Sequence, residues 1–271
     1  QVFRESFMGL DLYGIDPEQV TKLTIQRAEE DDVIIDKRGD DWFVLQPFEG
    51  LADGEEVMRM VKAVAELAPK ASREGVDLAD EQFGLADADL VATIAYNGGK
   101  TATLKVGGET PSGTERYAQV SSSDKLYVVG ANTRTTLWKD PQSIREKDVA
   151  SVETDDVQRV TLEHGEEQVV AVRTGKEGED APKWKLTAPV DTAADEWNVK
   201  QLISKVGDLR AEGFLSAEEA EEAETGFKNP QATLSFELDE GEPLKIVCGN
   251  TETRELGEPA EEKEIIYVRT S

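Results

Sequence analysis

His164 is the only histidine in this 271-residue chain and Cys248 the only cysteine. Any Ser-His-Asp or Cys-His nucleophile would therefore have to be built on these two side chains. His164 precedes Gly165 in an acidic turn sequence, which predicts an exposed ring. Cys248 closes the run Leu244-Lys245-Ile246-Val247-Cys248, which reads as a buried strand carrying an inert thiol. One residue of each type is also too few for zinc, which takes several Cys or His ligands. Calcium needs only oxygens, and the clusters Glu29-Glu30-Asp31-Asp32 and 218–224 supply them, but neither has the alternating spacing and central glycine of an EF-hand loop. Both read as solvated charged faces. Gly107-Gly108-Glu109-Thr110-Pro111-Ser112-Gly113 lacks the Lys-Ser/Thr pair of a phosphate cradle and opens no helix, so it reads as a hairpin loop. Carboxylate pairs of the glycosidase type need no local motif, and 57 Asp and Glu residues make such pairs too common to be informative. No catalytic residue, metal ligand or cofactor-binding residue is assigned on these grounds, and no cofactor is expected.

The elements that would have to position any such chemistry are built twice. Trp42 and Pro47 recur as Trp184 and Pro189 after a shift of 142 residues, and the same shift maps Asp53 onto Asp195, Gly84 onto Gly226 and Gly107 onto Gly249. A fixed period held this long means a tandem duplication. These ten residues form the repeated signature, and each has a structural reading. The tryptophans fit a sheet-facing core, with a ligand platform as the alternative. Asp53 and Asp195 stand where a helix N-cap belongs, and Glu56 three residues after Asp53 suggests a capping box. Gly84 and Gly226 suit a left-handed helix terminus.

Alternating apolar positions predict strands over 20–26, 33–37 and 42–45 in the first copy and over 157–163, 168–173 and 183–187 in the second. Between the later strands of each three lie the Gly-rich turns 38–41 and 175–178. The period then changes. Val57, Met60, Val61, Val64 and Leu67 make one apolar helix face, answered by Val199, Leu202, Ile203, Val206 and Leu209. A shorter second helix is expected around 77–82 and 216–225, followed by strands over 91–96, 101–106, 116–120 and 125–129, and over 233–238, 244–248 and 265–269. The expected fold class is α+β: two tandem repeats, each an antiparallel sheet packed with an amphipathic helix and a short second helix. The divisions are a lead-in over 1–19 rich in large apolar residues, unit 1 over 20–132, a linker over 133–156 and unit 2 over 157–271. Unit 2 has no counterpart of the strand at 125–129, so the natural protein is expected to continue or to take that strand from elsewhere, since an open edge at 265–269 would be an aggregation hazard.

Composition narrows function by exclusion. With 57 acidic against 30 basic residues the formal charge is -27, which disfavours nucleic acid and anionic lipid; it would attract cations or basic proteins, but a dispersed negative charge reads first as a solubility device. No run approaches the ~18 apolar residues of a membrane-spanning helix, so no direct membrane insertion is expected of these residues.

The ordered set Trp-x4-Pro, Asp at the head of an amphipathic helix, Phe83-Gly84-Leu85 or Gly226-Phe227-Lys228-Asn229-Pro230, and strands ending in Val106-Gly107 or Cys248-Gly249 resembles the domain of unknown function 4340 family. The segment Ile144-Arg145-Glu146-Lys147 is similar to that family's link between successive units. The resemblance implies a bacterial, extracytoplasmic protein held by one N-terminal membrane helix, associated with ABC-type export or gliding-motility-like assemblies and with no established catalytic residues. The expectation is a non-enzymatic binding or scaffold module whose partner is a membrane protein such as an ABC permease or an associated subunit. A carboxylate-based hydrolase and a cation-binding adhesive domain are the alternatives.

Overall fold

The computed structural model describes residues 14–175, 183–222, 224–256 and 261–270. Residues 1–13 of the apolar lead-in and 176–178 of the 175–178 turn lie outside them. The chain divides into two units, Gln1–Glu146 and Lys147–Ser271.

Unit 1 is one antiparallel sheet with helices against it. Its strands are β1 (Val20–Arg27), β2 (Val33–Arg38), β3 (Asp41–Gln46), β4 (Gly50–Leu51), β5 (Ala71–Arg73), β6 (Leu90–Tyr96), β7 (Lys100–Glu109), β8 (Glu115–Val120) and β9 (Leu126–Gly130), in the order β4-β3-β2-β1-β6-β7-β8-β9-β5. Helix α1 (Gly54–Ala65) lays Val57, Met60, Val61 and Val64 on the sheet, all fully buried. Asp53 caps it, accepting the Glu55 and Glu56 N–H groups at 3.0 Å each. Helix α2 (Ala131–Leu137) follows β9.

Unit 2 repeats the order with β10 (Val157–His164), β11 (Glu167–Arg173), β12 (Trp184–Ala188), β13 (Thr192–Ala193), β14 (Ala232–Leu238), β15 (Leu244–Leu256) and β16 (Glu261–Thr270), arranged β13-β12-β11-β10-β14-β15-β16. Its helices are α3 (Glu196–Gly207) and α4 (Ala217–Glu222). The mixed α+β class is thus realised in both units, each on its own antiparallel sheet.

The duplication extends to irregularities that carry no sequence signal. A bulge between Ile34 and Ile35 against β3 recurs between Val170 and Ala171 against β12. One between Val20 and Lys22 recurs between Val157 and Arg159. A third, between Val106 and Glu109, recurs between Cys248 and Thr251. Bulges bend and twist a strand, so both sheets are bent at the same three places.

Several expectations need correction. The short second helix of unit 1 is only a 3-10 turn, Glu81–Phe83. Asp77 and Asp80 accept the N–H groups of Ala79 and Gln82 at 3.0 and 3.1 Å, and such local bonds compete with helix formation. In unit 2 the helix forms, with Ser216 and Glu219 exchanging bonds as a capping box. The Asp53–Glu56 capping box does not close. The Asp53 N–H already donates to the Ile144 carbonyl at 2.8 Å, and the Glu56 carboxylate turns to Arg59 and to Lys139. The segment read as a linker over 133–156 is folded into the units: Leu137 and Ile144 are buried in the core of unit 1, and Ala150 in that of unit 2. Leu209, expected on the buried stripe of α3, lies beyond the helix and is 41% exposed.

Candidate binding surface of the second unit

The repeated signature residues hold each unit together. Trp42 and Trp184 are both buried. Each sits directly opposite a cation on the neighbouring strand, Lys37 and Arg173, whose charged groups lie 5.7 and 5.1 Å from the ring centroids. Pro47 and Pro189 follow cis peptide bonds beyond β3 and β12. Asp195 caps α3 by accepting the Asn198 N–H at 3.0 Å. The four glycines form two contacts. Gly84 and Gly226 have φ of 59° and 76°, and each packs on the strand that carries Gly107 or Gly249. A Cβ at Gly107 would stand 2.2 Å from the Phe83 carbonyl oxygen, and one at Gly249 would stand 1.9 Å from that of Thr225. The backbones approach too closely for any side chain.

The residues first weighed for chemistry are scattered. His164 ends β10 and is exposed, whereas Cys248 lies half-buried on β15, where burial pushes its thiol above the ordinary value. No group of three or more His, Cys, Asp or Glu residues suited to a metal ion occurs among the described residues. The described helices include none long and apolar enough to cross a membrane.

What distinguishes the copies is cover. In unit 1, β8 is flanked by β7 and β9, and β9 by β5. In unit 2 the equivalent of β8, β16, is the edge of the sheet among the described residues, and Ile266 on it is 44% exposed. Along this edge hairpin Glu252 accepts from the Tyr267 hydroxyl and from Arg254 Nε, the latter at 3.0 Å. The Arg254 hydrogen bond, then that of Tyr267, holds the Glu252 carboxyl below its ordinary value, while the bond to Glu252 raises the Tyr267 phenol.

A second opening lies where α3 meets its sheet. Leu162, Val169, Leu186, Ala194, Val199 and Leu202 line an apolar cleft of about 260 Å³. Beyond it Val190 is 56% and Trp197 66% exposed. Sequence reasoning missed this surface because it assigned Val199 and Leu202 to a closed core. The available signal was Trp197, which falls off the apolar stripe of α3 at the position held by Glu55 in unit 1.

This architecture, a duplicated antiparallel sheet-and-helix unit, defines a tandem-domain protein. The sequence pattern described as domain of unknown function (DUF4340) matches residues 42–183 and again 184–271. The chain belongs to the DUF4340 family. Each match begins at a signature tryptophan, within β3 and β12, so the family's window runs out of phase with the folded unit. No curated protein and no solved structure matches the chain.

Proposed function

We propose that the chain is a non-enzymatic binding or scaffold module of an extracytoplasmic, membrane-anchored protein, accessory to an ABC-type export or gliding-motility-like assembly. The observation that carries the binding role is the exposed apolar surface of unit 2. Among the described residues the face of unit 2 at α3 presents an apolar cleft lined by Leu162, Val169, Leu186 and Leu202, and Val190 and Trp197 are exposed. Exposed apolar surface of this kind marks interaction sites in soluble domains. The acidic charge of -27 favours a cationic partner. Location and assembly are supported by the family resemblance of the signature residues. Co-purification of the full-length protein from its native membrane, with partners identified by mass spectrometry, tests this reading. Recovery of a transporter or motility subunit is expected. Saturable turnover of an ester, glycoside or phosphoester by the purified chain, abolished by a single carboxylate substitution, would overturn it.

A further inference from the structure

The chain has five asparagines, and Asn97 alone precedes glycine. Asn132 and Asn250 precede threonine, Asn198 precedes valine and Asn229 precedes proline. The difference is chemical. The main-chain nitrogen that follows an asparagine can attack the side-chain carboxamide. A β-branched neighbour crowds that attack, and proline has no N–H to lose. Glycine puts no side chain in the way.

The fold sets this pair where nothing else engages it. Asn97, Gly98 and Gly99 join β6 to β7 beyond the Tyr96–Lys100 pair. The Gly99 N–H donates to the Tyr96 carbonyl at 3.2 Å, and Asn97 and Gly98 have φ of 45° and 76°, the positive values of a type I′ turn. All three residues are exposed, and a Cβ built on Gly98 would meet nothing within 4 Å. Among the described residues neither the Asn97 carboxamide nor the Gly98 N–H has a hydrogen-bond partner. Asn250, in contrast, donates from Nδ2 to the Glu224 carbonyl at 2.8 Å. The 142-residue shift places Asp239 at the position of Asn97, followed by Glu240, so the turn of unit 2 has no such pair.

We propose that Asn97 is a site of spontaneous covalent modification, converted by intramolecular deamidation. The Gly98 nitrogen, having lost its proton to hydroxide, attacks Asn97 Cγ. A C–N bond forms, the Cγ–Nδ2 bond breaks, and the amide nitrogen leaves as ammonia. Water then opens the five-membered imide at either carbonyl, so that overall one water is consumed and one ammonia released. One product is aspartate. The other is isoaspartate, whose main chain runs through the former side chain and is one carbon longer. Both add a negative charge, but only the second changes the turn. Register in a hairpin is fixed by its turn, and β6 and β7 carry Leu90, Ile94, Leu104 and Val106, all fully buried. Isoaspartate at this turn therefore strains a central ladder of unit 1.

Incubation of the 271-residue chain at neutral and at mildly alkaline pH, beside a synthetic peptide of residues 92–102, tests this. Peptide mapping by mass spectrometry locates the conversion, and enzymatic methylation detects isoaspartate. Asn97 should convert before the other four asparagines and faster at the alkaline pH. Its rate should lie within about ten-fold of the free peptide's, because an exposed turn opens locally at little cost. Asn97→Gln, which would need a larger ring, should stay unmodified at this position. In scanning calorimetry the aged chain should show a unit 1 population of lower midpoint, whereas fresh Asn97→Asp, which carries the charge alone, should melt with the parent. Asn97 left intact when the peptide is fully converted, earlier conversion of another asparagine, or a rate indifferent to pH would overturn the proposal. An aged chain rich in isoaspartate that melts with the parent would overturn its effect on the ladder.

Discussion

Alanine at Gly249 should destabilise unit 2 by more than its single added methyl suggests. The new Cβ would stand 1.9 Å from the Thr225 carbonyl oxygen, a main-chain atom that cannot rotate away, so strand and loop must separate by about 1.5 Å to restore ordinary packing. Overpacking of this kind costs about 1–3 kcal/mol. Separation also weakens the hydrogen bond from the Asn250 N–H to the same carbonyl, 2.8 Å long, which contributes roughly 0.5–1.5 kcal/mol more. A total of about 2–4 kcal/mol, at roughly 3–5 °C per kcal/mol for a domain of this size, lowers the unit 2 midpoint by roughly 6–20 °C. Scanning calorimetry of the 271-residue chain reads this directly. Gly107→Ala should act likewise on unit 1, with its Cβ 2.2 Å from the Phe83 oxygen. Gly213, where an added Cβ meets nothing within 4 Å, is the control and should tolerate alanine. A Gly249→Ala chain melting within about 2 °C of the parent would refute the argument, because the contact would then be yielding without cost.

Removing the N-caps with Asp53→Ala or Asp195→Ala should each cost about 1 kcal/mol in urea unfolding. Asp53 should cost more, since it accepts two N–H groups and Asp195 accepts one. Trp184 Nε1 is buried without a hydrogen-bond partner, so Trp184→Phe removes an unpaired donor and should cost about 3 kcal/mol less than Trp184→Ala by the same measurement. Burial alone would raise the Glu56 pKa, but the hydrogen bonds and charges of Arg59 and Lys139 outweigh it and hold the carboxyl below its ordinary value. A carboxyl depressed on folding adds stability that is complete above its unfolded pKa and is lost as pH falls through the folded one. Glu56→Gln should therefore lose less stability than the parent chain between about pH 5 and pH 3, and parallel urea curves would exclude the effect. Among the described residues the main apolar cluster of unit 2 has 9 buried members against 27 in unit 1, so the unit 2 amides should exchange hydrogen faster than their counterparts in unit 1.

Features fixed by a local run of residues were legible in the sequence. Val57, Met60, Val61 and Val64 recur at helical spacing, and Asp53 precedes them as a cap should, so α1 could be drawn without coordinates. The hairpin strands were legible from alternation, and Gly84 and Gly226 from their place after a helical run. Features fixed by long-range partners were not. Strand β5 is Ala71–Arg73, with no β-branched residue, and it exists because Val128 on β9 is available to pair with Ala71. The opposed pairs Gly84–Gly107 and Gly226–Gly249 were visible as repeated residues, but their mutual contact depends on a loop returning over a strand. The cleft was hidden for the same reason. Leu202 reads as core by periodicity, and whether it is covered depends on a segment far from it in the chain, as Met60 depends on residues 131–146.

The two copies keep different things in common. All three bulges, both buried tryptophans with their opposed cations, and both glycine contacts are retained, and these set the backbone path. The positions beneath residues 131–146 are not retained: Ile35 gives way to Ala171, Phe48 to Val190 and Glu56 to Asn198. Ala171 and Asn198 both line the cleft, so two of these changes reshape its wall without disturbing the scaffold around it. An occupant of that cleft would add apolar side chains to a main cluster of nine buried residues among those described, so binding and folding of unit 2 are thermodynamically linked. At a ligand concentration 100 times Kd the linkage contributes about 2.7 kcal/mol, enough to raise the unit 2 midpoint by roughly 8–13 °C while leaving unit 1 where it was. A ligand that shifted both units equally would be acting on something other than the difference between them.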